Sequence, residues 1–301
     1  HGLRAAHYDP AGLRAHRRAA STHAEQGRLE VGMRRLFLSC ARDVQTGILR
    51  PGSVVDAIKR KVPYRSRLAI IRGFSQSNPA GFLRGLPPSS PEYTRLMREK
   101  MRMERMLANG GWGLTVKARS LKPGDAGGEV VKLRNRLIAM GFLERTATQT
   151  YDAAVQTAVQ RFQQAHGLSV DGKAGSRTMR QLNVSMGNRL QSVIVAMERE
   201  RWINRPRGQR HVWVNLTDFT AAIVDDDRVT FSTRSVVVAV DPDRESPEFS
   251  DVMEFMVINP SWYVPRSIVT KEYLPILQSD LNAVSQLDVN DRRGRNCARS
   301  E

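Results

Sequence analysis

Apolar residues recur at helical spacing through the first two thirds of this chain, and the pattern changes to alternation near residue 211. Leu29, Met33, Leu36, Phe37 and Cys40 share one helical face, which predicts a helix ending near Gly47. After the break Leu86-Pro87-Pro88-Ser89-Ser90-Pro91, the residues Tyr93, Leu96, Met97, Met101, Met103 and Leu107 predict a second long helix. It is studded with Arg and Lys and stopped by Asn109-Gly110-Gly111-Trp112-Gly113. Such a methionine stripe reads as core packing. Three short helices follow. Val130, Leu133, Leu137 and Met140 line the first, up to Gly141. Asp152 caps the second, with Val155, Val159 and Phe162 inward. Met179 and Leu182 anchor a third that starts at Ser176. Another amphipathic helix spans Met186 to Ile203, with Leu190, Val193, Ile194, Met197 and Trp202 on its apolar side.

From His211 the period becomes two. His211 to Asn215, Phe219 to Val224, Arg228 to Ser232, Ser235 to Val240 and Glu254 to Ile258 read as strands, with Asp225-Asp226-Asp227 as a hairpin turn. The expected fold class is therefore α+β and multidomain. A helical scaffold over 1–118 precedes a three-helix module over 119–185, a linking helix over 186–210 and a β domain over 211–301.

A length of 301 residues, 41% of them apolar, suffices for two or three domains with real cores. The two cysteines, Cys40 and Cys297, cannot form a disulfide framework. No Cys/His spacing suits zinc, and three adjacent aspartates in a turn do not make a calcium loop, so neither metal nor cofactor is expected. No apolar run is long enough to span a bilayer. The net charge of +17 is unevenly placed: residues 1–118 hold 22 Lys and Arg against 8 Asp and Glu, and residues 119–210 hold 16 against 7. Residues 211–301 hold only 9 against 15. The basic residues lie on amphipathic patterns without interleaved aromatics, which favours a solvated cationic surface over a nucleic-acid partner.

The middle module resembles the three-helix peptidoglycan-binding domain. The resemblance is carried by Gly128, Val131 and Leu133, by Leu137 and Gly141, by Tyr151-Asp152 leading to Ala158-Val159 and Phe162-Gln163, and by Gly167-Leu168 with Asp171-Gly172, Gly175 and Thr178. These positions are mostly caps, turns and core residues, so they build the fold whether or not it binds sugar. The rear block resembles the catalytic domain of multidomain L,D-transpeptidases through Val212-Trp213-Val214-Asn215, Ser246-Pro247-x-Phe249-Ser250-Asp251, and Asn259-Pro260-x-Trp262-x-Val264-Pro265-x-Ser267-Ile268 with Lys271-Glu272 and Leu274-Pro275. The front resembles that family's scaffold in Leu29-Glu30-Val31, Ala41 to Gly47, Phe82-Leu83, Leu86-Pro87-Pro88 and Tyr93.

The resemblance implies peptidoglycan as partner, a periplasmic location, and formation of 3–3 crosslinks between stem peptides by a cysteine thiolate. It also implies substrate contacts at Asn259, Trp262 and Tyr263. A thiolate nucleophile needs an imidazole to take its proton and backbone N–H donors for the oxyanion. The family's Ser-His-Gly-Cys-x-Arg element is not in this sequence, and the last histidine is His211. Cys297 stands two residues before an arginine but has no base near it, so no catalytic residue is assigned. The expectation is a chain cut before its nucleophile motif and inactive as it stands, with an unfinished sheet and weaker order after about residue 211. A non-catalytic wall-binding or scaffold protein is the alternative. No oligomeric state is assigned.

Overall fold

The computed structural model describes residues 2–3, 5–237, 246–260, 262–280 and 282–283, which separate into one unit up to Ser250 and a second from Asp251 onward. The first unit opens with a short turn at Ala5–Tyr8 and helix α1 (Pro10–Ala19). Helix α2 (His23–Thr46) starts at a reciprocal cap: the Thr22 hydroxyl accepts from the Glu25 N–H at 3.2 Å, and the Glu25 carboxylate accepts from the Thr22 N–H at 3.0 Å. It ends at Gly47, whose φ of 87° is costly for any residue with a side chain.

The predicted apolar face of α2 is only partly used. Ala41 and Val44 are buried with Ile70 and Leu86, and Phe37, Leu38 and Cys40 pack around them, but Met33 is exposed. The cluster that receives α2 reaches only its C-terminal half. It is built by helix α4 (Arg67–Gln76), helix α5 (Pro79–Arg84) and the Leu86 turn, after the short α3 (Pro51–Val54). Helix α6 (Pro91–Ala108), capped by Ser90, buries Tyr93 and Met103 while Met101 and Leu107 face solvent. Lys100 takes the inward position instead: its side chain is 12% exposed, its stem covering the face and its ammonium reaching Glu104.

Helices α7 (Gly128–Met140), α8 (Ala153–Ala165) and α9 (Ser176–Asn183) enclose the largest core. Val130, Leu133, Leu137, Val155, Val159, Phe162, Met179 and Leu182 are all buried together there, joined by Tyr151 and Ala174. Antiparallel bridges between Leu121 and Ala174 and between Ala126 and Thr150 tie its loops. Helix α10 (Met186–Trp202) leaves this module and packs on α6 and α2.

Strands β1 (Arg210–Asn215), β2 (Thr220–Asp225) and β3 (Arg228–Arg234) form an antiparallel sheet in the order β1-β2-β3. Asp226 and Asp227 both have positive φ, 47° and 61°, as a two-residue hairpin with strand-matched twist requires. Two predicted strands differ. The ladder stops at Arg234, and residues 238–240 of the fourth predicted strand lie outside the described residues. Glu254 to Ile258, in the second unit, is no strand. An apolar segment forms a strand only beside a partner that accepts from its N–H groups and donates to its C=O groups, and none pairs with this segment among the described residues. Phe255, Met256, Val257 and Ile258 are consequently exposed. The second unit otherwise contains α11 (Arg266–Ile268), a π turn over Val269–Tyr273, and α12 (Leu274–Ser279).

Candidate functional site

The three-helix module contains a polar knot at its centre. Gln163, 1% exposed, donates from Nε2 towards Asp171 Oδ1 at 2.8 Å, the Lys173 carbonyl at 2.9 Å and Thr178 Oγ1 at 3.1 Å, while its Oε1 accepts from the Gly172 N–H at 2.9 Å. The Tyr151 hydroxyl donates to the Gly172 carbonyl at 2.9 Å. Burial pushes the Tyr151 phenol well above its ordinary range, and hydrogen bonds from the Lys173 N–H and Gln163 hold the Asp171 carboxyl down. Each polar residue of the Gln-to-Thr signature is thus engaged with another part of the same turn. Its first task is to shape the loop between α8 and α9.

His166 stacks on Phe162 at 3.9 Å between centroids, with its Nδ1 2.8 Å from the Phe162 carbonyl. Burial lowers its pKa, which favours the neutral ring. Arg136 is 3% exposed and donates to the carbonyls of Leu182, Gly113 and Leu114, closing the end of α9. Sequence reasoning missed this residue. The available signal was its place three residues after Leu133 and four before Met140, on the buried side of α7.

A second buried network joins α2, α6 and α10. Arg201, 1% exposed, meets the Glu198 carboxylate at 3.0 Å and the Tyr93 hydroxyl at 3.0 Å. Glu198 also accepts from the Leu49 N–H at 2.9 Å, and Asn204 donates to the carbonyls of Gln45 and Leu86. The Ala41-to-Gly47 motif lies here, which explains why so polar a stretch is buried. Arg201 and Glu198 were also missed, although Arg201 follows Met197 by four residues and so shares its face.

In the sheet, Trp213 lies under the Arg207 guanidinium at 4.6 Å, and Arg207 is held in turn by Glu92 and Glu200 at 3.2 Å each. His211 Nδ1 is buried without a hydrogen-bond partner among the described residues.

Asn259, Trp262 and Tyr263 occupy one connection of the second unit. Asn259 takes a positive φ of 51°, and Trp262 and Tyr263 are 63% and 84% exposed, so both rings are open to a ligand. Cys40 is partly buried, and burial followed by the charge of Asp43 pushes its thiol up, the reverse of what a nucleophile needs. Cys297 lies outside the described residues. Among the described residues no thiol is hydrogen-bonded to an imidazole, no cluster of ligands suits a metal ion, and no helix is long and apolar enough to cross a membrane.

Comparison with protein families finds three matches in succession. Residues 1–99 match a scaffold domain, residues 126–182 a peptidoglycan binding domain, and residues 209–296 an L,D-transpeptidase catalytic domain. A comparison with curated proteins returns no match.

Proposed function

Because the chain belongs to the multidomain L,D-transpeptidase family, with a peptidoglycan-binding domain between scaffold and catalytic sequence, we propose that it acts in the periplasm. Residues 119–185 hold it on peptidoglycan, and the segment from residue 211 addresses stem peptides destined for 3–3 crosslinks. Residues 1–118 and the linking helix over 186–210 carry the two. Asn259, Trp262 and Tyr263 are the substrate contacts. The exposure of both rings supports this, since an aromatic face left open can pack against an extended peptide.

The observation that carries the chemical part of the reading is the missing base. Acyl transfer through a thiol requires an imidazole within hydrogen-bond reach, and no histidine follows His211 in these 301 residues. In this reading the 301 residues bind the wall and do not crosslink by themselves. A non-catalytic wall-binding role is the alternative, supported by the peptidoglycan binding domain matched over residues 126–182.

Two measurements test the proposal. The purified chain should co-sediment with sacculi, and Trp262→Ala should weaken its affinity for soluble muropeptides about tenfold. It should neither join muropeptides nor gain the mass of a bound carbapenem. An adduct that disappears in Cys297→Ala would overturn the assignment of inactivity.

A further inference from the structure

The scaffold contains a groove whose charge is left largely unbalanced among the described residues. Two adjoining cavities, of about 790 and 450 Å³, share Arg42, Arg65 and Arg67. Arg50 and Arg60 line the larger, and Arg35 lines the smaller. Neither is lined by an aspartate or glutamate. Arg42 is paired with Asp43 at 2.8 Å and Arg60 with Glu248 at 3.4 Å. Arg35, Arg50, Arg65 and Arg67 are exposed, and none has a carboxylate partner among the described residues.

The neighbouring helices show the ordinary solution. On α6, Arg95 pairs with Glu92 and Arg102 with Glu99, and Arg207 is shared between Glu92 and Glu200. Gathering unpaired guanidinium groups around one depression raises self-repulsion in the folded state and focuses a positive field into the concavity. An anion entering the groove would relieve that repulsion.

The shape selects the kind of anion. A flat membrane would meet a convex or planar basic patch, whereas this one is sunken. Single-stranded nucleic acid needs a row of stacking aromatics, and Tyr64 is the one aromatic lining residue. Ile48, Leu49 and Val62 give the larger cavity apolar walls, suited to aliphatic segments between charges. Guanidinium forks match carboxylates in bidentate geometry. We propose that this groove of the scaffold binds the carboxylate-bearing stem peptide of peptidoglycan, as a second contact separate from the three-helix module. The proposal rests on the peptidoglycan reading above.

The test uses the full chain, with soluble muropeptides released from sacculi as probe, and the same muropeptides with their carboxyl groups converted to amides. Arg65→Gln/Arg67→Gln should weaken binding of the free-acid muropeptide about tenfold or more, while Arg105→Gln, an exposed change on α6 outside the groove, should leave it unchanged. Amidated muropeptide should bind the unaltered chain no better than the free acid binds the double variant. The affinity should also fall as salt is raised.

Equal binding by the double variant, equal binding of the amide, or no muropeptide binding at all would overturn the proposal. So would loss of the double variant's binding only to vesicles of phosphatidylglycerol and phosphatidylcholine, which would give the groove to phosphate headgroups. Sedimentation with intact sacculi separates the two levels of inference. A chain that does not sediment removes the peptidoglycan reading, whereas one that sediments while the double variant keeps full muropeptide affinity removes the groove alone.

Discussion

Replacing Gln163 by leucine tests whether the polar knot, more than the surrounding apolar contacts, holds the loop between α8 and α9. The two side chains are similar in size, so the change removes an amide without opening a large cavity. It leaves the Gly172 N–H and the Thr178 hydroxyl facing an apolar side chain where both had been hydrogen-bonded in buried positions. Asp171 and the Lys173 carbonyl lose a donor too, but Asp171 is near water and can be hydrated. Two buried orphans at about 1–3 kcal/mol each, less about 1 kcal/mol recovered from apolar burial, give a loss of about 3 kcal/mol. In a unit the size of residues 1–250 that corresponds to about 6–12 °C in midpoint temperature.

Hydrogen exchange of the full chain, read by mass spectrometry, isolates the module from the scaffold. Peptides covering α8 and α9 should lose about a hundredfold in protection while those from α2 keep theirs. Protection of α8 and α9 within threefold of the original would refute the reasoning, since it would mean that apolar packing alone organises the turn.

Three further outcomes are expected. Arg201→Met should cost about 3–5 kcal/mol in urea unfolding, because it strands the buried Glu198 carboxylate, and adding Glu198→Leu should recover part of the loss; simple additivity of the two changes would contradict this. Gly47→Ala should destabilise the α2–α10 contact by about 1–3 kcal/mol, since the position has positive φ and an added Cβ would overlap the Glu198 carboxylate. The Glu25 carboxyl is held down to about 2 from an ordinary 4.5 by the Thr22 and Ser21 N–H groups. Because the folded-state value is the lower one, the α2 cap is fully effective above about pH 4.5 and fades as the pH falls towards about 2. Amide shifts of Ser21 and Thr22 that titrate near 4.5 would contradict that assignment.

Local signals carried much of the architecture. The core of the three-helix module was readable because its apolar residues sit at helical spacing between strong stops, with Gly141 at one end and Asp152 capping the next helix. The aspartate hairpin was readable because a two-residue turn has few backbone solutions. Arg136, Glu198 and Arg201 were not, since a charged residue in one sequence reads as solvated until its partners are known. The Lys100 position misled for a related reason. Its aliphatic stem fills a place on α6 that the pattern assigned to Met101.

What the chain determined by itself is therefore short-range: helix starts and stops, turn geometry, the apolar face of each element, and the residues that tie three segments to three domain families. The tertiary structure decided which faces found a partner. Half of α2 stays exposed, Glu254 to Ile258 forms no ladder, and Arg35 and Arg42 of α2 converge with Arg65 and Arg67, before and at the start of α4, on one groove. Burial and pairing are properties of two surfaces meeting, and only one of those surfaces is written in any local stretch of sequence.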